Sequence, residues 1–505
     1  MPRRERDWTG RGARALEGLS TGAARRVLEA VLVLIAALVL VYLFAEKSPY
    51  YAIGGVVVLF AVLFLMRQPV YLTYSLAFFL PLNWVNLLGQ SLRVTTVLAG
   101  IGMAYYVSIA ILSRSRPHWN RVYLGYVLFF ASCGLSIINS ADVTMSFQLM
   151  KHLTITLFIL YIFTVSIRTK AQLRTLVLII LGWGVAQAVL GALQTFVSPK
   201  FYPAYYFQAF GMSIVDAYSV GAVRRASGTF QVAPRFVMFL MLPLALAVAG
   251  LLSGRMWRRQ AWMTLLGIYT VGIVVSLTRI AIVLAAFYTL LHSYFERRRQ
   301  VLMVSLSGLL VVAVAVATIY YFIIPASTRD ALGRRFANED EEVYMDRFFF
   351  LWAALGAFYE NPLLGVGVAN YEGRSWEFME KYPVPWRKYR WSVAEERDVP
   401  EAVPVHNEYG RMLAEQGIFS VFIFGFLLWS AFRNLRFARD NTKDDFVKTV
   451  AVGTSIYLAS MVAYWFFHEY FLEETYIAFL PFAISVIVRQ ITEDELAGQP
   501  DAAAA

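Results

Sequence analysis

Residues 261–300 read AWMTLLGIYTVGIVVSLTRIAIVLAAFYTLLHSYFERRRQ. Two apolar runs, 262–277 and 280–294, are separated by almost nothing except one charge, Arg279. Lipid offers no partner for backbone N–H and C=O groups, so apolar runs that enter a hydrocarbon core of about 30 Å must be helical. The pair reads as a tight helical hairpin with Arg279 pinned at its tip. Basic clusters flank it, GRMWRRQ before and ERRRQ after. Lys and Arg gather in the cytoplasmic loops of such proteins, so the flanks are predicted inside and the tip outside.

The same pattern extends in both directions. Apolar runs recur at 27–44, 50–66, 70–88, 94–112, 122–138, 145–165, 173–196, 235–252, 301–323, 417–432, 449–467 and 476–488. Hydrophobic residues make up 59% of the 505 and charged residues 16%, against roughly 25% charged in a soluble domain. The chain is therefore predicted to be an all-α polytopic integral membrane protein of about fourteen transmembrane helices. The net charge of +11 does not point to nucleic acid. Most of the excess lies in short connections such as RSRPHWNR, RTKAQLR and RNLRFARDNTKDDFVK, all on one side of the alternation. Both termini are expected in the cytoplasm, and membrane lipids are expected partners.

Four regions follow: a basic tail over 1–26, a transmembrane bundle over 27–219, a second transmembrane region over 220–488, and a tail over 489–505. The first apolar run lacks a small-residue cleavage site, so it is expected to be retained. Cys133, the sole cysteine, excludes an intramolecular disulfide. Two outside connections are long, 197–234 and 324–416, and insertions of that length are usually functional. The longer one should open with an amphipathic helix over Tyr344–Glu360, stopped by Asn361-Pro362. A second helix is expected to start near His406 and run straight into the span at 417, with Glu415 capping or orienting the helix start.

Nucleotide and metal motifs are missing: no GxxxxGK[ST], no GxGxxG, no HExxH, and no zinc spacing among five histidines. No cofactor or metal is expected. An enzyme acting outside cannot draw on cytoplasmic nucleotides and needs a substrate already energised. A lipid-linked diphosphate sugar is the natural one, and guanidinium groups match its phosphate oxygens. Arg224 and Arg225, Arg279 and Arg347 supply such groups on the outer side, and the intramembrane Lys151 adds a candidate binding charge. The plain alternative for each is a side chain snorkelling to lipid headgroups. His406, alone among the histidines in a polar loop before a helix, is the candidate general base, with Asn407 orienting ring or sugar. His152 and His468 are read as span-end histidines without a role.

Four strings occur in order: RASGTF (225–230), SLTRIAIVLAAF (276–287), DRFFFLWAALGAFYENPLLGVGVANY (346–371) and VHNEYGRMLAEQG (405–417). Together they resemble the bacterial O-antigen ligase and O-antigen polymerase superfamily over roughly residues 220–470. The resemblance implies a GT-C-type glycosyltransferase, independent of metal, with a large periplasmic loop. It also implies transfer of a glycan from undecaprenyl diphosphate to an acceptor hydroxyl. That acceptor is lipid A core, a growing repeat-unit chain or a protein. The functional residues of the superfamily carry over to Arg225, Arg279 and His406. Leu277-Thr278 stands where a small residue usually precedes the arginine, and Gly410 stands where Leu is common. Two other classes remain open at this stage. A transporter or flippase should show internal repeats and helices broken at the midplane, and a non-catalytic assembly scaffold needs no outer Arg/His constellation.

Overall fold

The structure is a computed structural model that describes residues 69–82, 86–87, 92–112, 119–198, 201, 219–220, 223–230, 232–253, 258–296, 340–382, 404–469, 471–472 and 475–498. The first part of the bundle comprises α1 (Pro69–Phe79), α2 (Val94–Leu112), α3 (Arg121–Ser136), α4 (Val143–Ser166) and α5 (Lys170–Phe196). It continues with α6 (Ala233–Ser253), α7 (Arg259–Val275) and α8 (Arg279–Glu296). Then come α9 (Asp340–Glu360), α10 (Tyr371–Lys381), α11 (Glu408–Gln416), α12 (Ile418–Asn441), α13 (Asp445–Tyr464), α14 (Thr475–Ala478) and α15 (Leu480–Leu496). Two minimal antiparallel hairpins, β1 (Asn86–Leu87) with β2 (Leu92–Arg93) and β3 (Ser219–Val220) with β4 (Val223–Arg224), tie down connections.

Among the described residues 7 helices are long and apolar enough to cross a membrane, and shorter apolar helices lie at 70–82, 94–108, 259–275 and 279–295. All of these coincide with predicted spans. The predicted spans 27–44, 50–66 and 301–323 lie outside the described residues. The protein is a helical, multi-pass membrane protein.

Span ends are set by short polar side chains that cap free N–H groups. Asp142 caps α4 through Thr144 and Met145, Asp444 caps α13 through Phe446 and Val447, and Thr169 with Gln172 forms a capping box on α5. Three spans form the centre: the apolar windows of α6, α13 and of Tyr476–Leu496 are 83%, 72% and 89% buried inside the protein. The windows of α3 and α12, at 44% and 39%, belong to the lipid-facing ring. Small residues let the centre close up. A Cβ on Gly184 of α5 would stand 2.8 Å from both Pro243 of α6 and Tyr269 of α7. The Tyr269 hydroxyl donates to the Leu181 carbonyl at 2.8 Å. Close backbone approach of this kind is how helices gain packing energy where lipid competes equally for apolar surface.

Two expectations change. Helix α9 begins at Asp340, before Tyr344, and ends as predicted at Glu360. The helix after His406 does not continue into the span. It stops at Gly417, whose φ of +76° breaks it, and α12 starts at the next residue. At Gly417 a Cβ would meet the Leu363 carbonyl oxygen at 2.2 Å, so another chain segment crosses there. The short α11 is thereby free to lie at an angle set by its own contacts, chiefly with α9.

Candidate functional site

The RASGTF segment follows β4 and drapes over the tip of the α7–α8 hairpin. Its backbone joins that tip directly: Ala226 N–H donates to the Val275 carbonyl at 3.0 Å. Arg225 reaches the same tip, with Nε donating to the Ser276 carbonyl at 3.1 Å and Nη2 3.5 Å from Thr278 Oγ1. Arg279 is the next residue along and opens α8. The tip is tight enough that Leu277 takes a positive φ of 52°, so the departure at 277–278 sits at the turn itself. Sequence reasoning foresaw the hairpin but not what holds the draped segment. Two buried glutamines of α5 do so. Gln194 Oε1 accepts the N–H groups of Ser227 and Gly228 at 3.0 and 2.9 Å while its amide donates to the Gly228 carbonyl at 2.7 Å. Gln187 Oε1 accepts Thr229 N–H at 2.9 Å and its amide donates to the Thr229 hydroxyl at 2.7 Å. Gly228, with φ +59°, leaves no room for a Cβ, which would stand 2.2 Å from Gln187 Oε1.

On the other side of the site, α9, α10 and α11 pack into a small separate apolar cluster that includes Phe350, Ala354, Tyr371, Phe378, Val405 and Ala414. The NPLLGVGVAN turn locks this unit onto the bundle. Val366 and Gly367 N–H groups donate to the Ala414 and Glu415 carbonyls at 2.8 and 3.1 Å. Asn370 bonds the Asp142 backbone and the Ser146 hydroxyl. Glu415 belongs to this lock: its carboxylate accepts Ala369 N–H at 2.9 Å and lies 3.4 Å from Arg411 Nε. It orients the 366–370 turn more than the helix start where the sequence placed it. Burial raises the Glu415 carboxyl, with Arg411 opposing. Gly410 makes room for α9, because a Cβ there would stand 2.4 Å from Leu351 Cδ1.

His406 stands just before α11 with φ +54°, a conformation that costs a non-glycine residue about 1–2 kcal/mol. Asn407 is the N-cap, its Oδ1 accepting Gly410 N–H at 2.8 Å and its Nδ2 donating to the Phe466 carbonyl at 3.0 Å. The connection after α13 embraces this turn. Glu408 N–H donates to the Trp465 carbonyl at 2.9 Å and the Glu408 carboxylate accepts Phe471 N–H at 3.0 Å. His406 N–H donates to Glu469 Oε2 at 2.8 Å, and His406 Nδ1 lies 3.4 Å from Glu469 Oε1. The His406 side chain is 34% exposed and that of Glu469 is 6% exposed.

The buried ring of His468 links the two halves. It lies against Tyr464 with centroids 4.7 Å apart and the rings tilted at 35°, and the Tyr464 hydroxyl donates to the Pro234 carbonyl at the start of α6. Burial pushes the His468 imidazole well below its usual value, and the nearness of Arg347, His406 and Arg225 pushes it the same way. Residues from three distant parts of the sequence therefore come within electrostatic reach of one ring. The arrangement offers a cationic surface, a solvent-accessible imidazole and a buried neutral one, at one end of the helical bundle.

Residues 262–429 match the family model described as O-antigen ligase. The chain carries an O-antigen ligase domain. This bears out, over the matched segment, the resemblance seen in the sequence. Among curated proteins none matches. The ligase domain includes Arg279, Arg347, His406 and Asn407, while Arg225, His468 and Glu469 reach it from outside the matched segment. Arg224 lies in β4 opposite Ser219, one residue before Arg225. Lys151 is exposed on α4 and makes no ion pair among the described residues, so it is not drawn into the arginine and histidine cluster. His468 and Glu469 are the residues that sequence reasoning passed over.

Proposed function

We propose that the protein transfers a glycan from undecaprenyl diphosphate to an acceptor hydroxyl on the extracytoplasmic face of a bacterial inner membrane, as an O-antigen ligase or surface-polysaccharide polymerase. The observation that carries this reading is that Arg225 bonds the hairpin tip beside Arg279, while His406, held by Glu469, keeps a partly exposed ring. In this reading the guanidinium groups of Arg225 and Arg279 hold the diphosphate, with Arg224, Arg347 and Lys151 adding to the cationic surface that attracts it. His406 Nε2 accepts the proton of the acceptor hydroxyl as its oxygen bonds to the anomeric carbon. The bond from that carbon to the diphosphate breaks, and its electron pair leaves on the phosphate oxygen. Positive charge preorganised where negative charge develops is usually what lowers the barrier most at such a site, so the transfer needs no metal ion. Attack opposite the leaving group inverts the anomeric configuration. Asn407 fixes the turn that aims His406. The lipid tail of the donor would lie along the bundle, as a GT-C-type architecture allows.

The test is reconstitution of the full chain in liposomes with an undecaprenyl-diphosphate oligosaccharide, offered lipid A core, repeat-unit or peptide acceptors, with and without EDTA. Transfer to one acceptor that survives EDTA and inverts the anomer is expected. Retention of configuration, or loss of transfer on chelation that a divalent ion restores, overturns the mechanism. The orientation is tested in a Cys133→Ala background. An impermeant thiol reagent applied from outside should label a cysteine at 395 and leave one at 257 untouched, and the reverse pattern would place the site in the cytoplasm.

A further inference from the structure

The turn that carries His406 is held by a carboxylate that comes from a different part of the chain. Glu469 lies beyond α13, yet one of its oxygens accepts the His406 N–H at 2.8 Å and the other lies 3.4 Å from His406 Nδ1. The same residue therefore fixes both the backbone and the ring of His406. The backbone contact matters because φ at His406 is +54°, and a non-glycine residue keeps such a conformation only where its surroundings determine it. The surroundings do. The Glu469 carbonyl lies 3.4 Å from Arg411 Nη1, and the neighbouring Phe466 and Trp465 carbonyls accept from Asn407 and Glu408. Phe350 lies beside the imidazole, with centroids 5.9 Å apart. Glu469 is almost fully buried and His406 is not, so the ring shows one nitrogen to the carboxylate and leaves the other toward the open side.

A buried carboxylate beside one ring nitrogen has two consequences. It favours the tautomer that carries its proton on that nitrogen, since the carboxylate can only accept. It also stabilises the imidazolium that forms when the other nitrogen takes up a proton, without being protonated itself. We propose that Glu469 is the positioning residue of the transferase: it holds His406 as the Nδ1–H tautomer with Nε2 presented to the acceptor hydroxyl, and it stabilises the imidazolium formed during transfer. The inference rests on His406 acting as the base.

The experiment combines kinetics of the full-length reconstituted protein with ¹⁵N NMR of histidine-labelled protein in nanodiscs, the His406 signals being assigned by their loss in His406→Ala. The wild-type spectrum should show His406 protonated at Nδ1 with Nε2 bare. Glu469→Gln keeps an oxygen acceptor for the backbone N–H. It should lower kcat on the order of 100-fold, the lower range for loss of general-base function, leave the donor KM within about threefold, and mix the two tautomers. Glu469→Asp should recover part of kcat. A wild-type ring protonated at Nε2 overturns the inference, as does a Glu469→Gln variant with unchanged kcat and tautomer. If Glu469→Gln does not fold, the wild-type spectrum alone decides. Full activity in His406→Ala would instead overturn the base reading, and the tautomer measurement would still report whether Glu469 orients the ring.

Discussion

Two segments meet at the site end of the bundle, and they are held by different chemistry. The RASGTF segment is framed by neutral amides, Gln187 and Gln194 of α5, which satisfy its backbone in both directions. The His406 turn is framed by acids, with Glu408, Glu415 and Glu469 all buried around it and Arg411 between them. A neutral frame brings no charge of its own to compete with phosphate for a nearby guanidinium. An acidic frame suits a ring that must become positive during a turnover. The contrast fits the proposed roles, anion binding for one segment and proton acceptance for the other, and each role can be broken separately.

The largest effect is expected at His406. His406→Ala should reduce turnover on the order of 1,000-fold, within the range for loss of a general base, while donor affinity measured by equilibrium binding stays within about threefold. An equal loss in affinity and rate would make His406 a binding residue and erase the contrast between the segments. Arg279→Ala and Arg225→Ala should each cut transfer on the order of 100-fold and weaken donor binding as well. Lys at either position should restore only part, since a point charge lacks the planar fork of donors. Normal transfer by Arg279→Ala at normal protein level would remove the hairpin tip from the diphosphate site.

Gln194→Ala separates framing from chemistry. It leaves the buried N–H groups of Ser227 and Gly228 without their acceptor, and each such orphan costs about 1–3 kcal/mol. Thermal stability should fall and donor affinity with it, whereas kcat at saturating donor should change little. A variant as stable as the parent would mean that the draped segment holds itself.

Much of this was open to sequence reasoning, and the parts that were not share a cause. Apolar length placed the described spans, and a lone arginine between two of them placed the hairpin tip at 276–279. Asn361-Pro362 stopped α9 where local rules say it must. Gln187 and Gln194 do carry a local signal: two amides seven residues apart on one face of an apolar helix need buried partners. The break at Gly417 was hidden because the sequence on both sides favours helix, and only the crossing of the Leu363 backbone demands a glycine there. Glu469 and His468 were invisible for a stronger reason. Their roles come from groups far away in the chain, His406 for Glu469 and Arg347 and Arg225 for His468, and no local pattern encodes such a meeting.

His468 gives a pH test of the link between the segments. Its folded-state value lies below the ordinary one of about 6.5, so below that pH the unfolded chain takes up a proton that the folded chain refuses. Stability should therefore fall as pH drops through about 6.5, by up to about 1.4 kcal/mol per pH unit from this group. Thermal midpoints in detergent at pH 7.5 and 5.5 measure the slope, and His468→Gln should flatten it. An unchanged slope would mean that His468 becomes protonated in place, next to Arg225 and Arg347, and that the cluster tolerates the added charge.

The smallest effect is expected at Lys151, which lies outside the arginine and histidine cluster. Its ammonium is exposed on α4, and an exposed charge contributes about 0–1 kcal/mol to a contact. That corresponds to at most about a fivefold change in donor affinity, with kcat untouched, because a lysine outside the cluster adds long-range attraction and no fixed geometry. High salt should remove the difference between Lys151→Ala and its parent, since exposed charges are screened within about 10 Å at 0.1 M. The same salt should leave most of the Arg279→Ala defect in place, since a contact fixed at the hairpin tip is screened less. A loss of tenfold or more at Lys151 that persists in high salt would move this residue from the approach path into the diphosphate site itself. It would then require α4 to turn toward the hairpin tip when the donor binds.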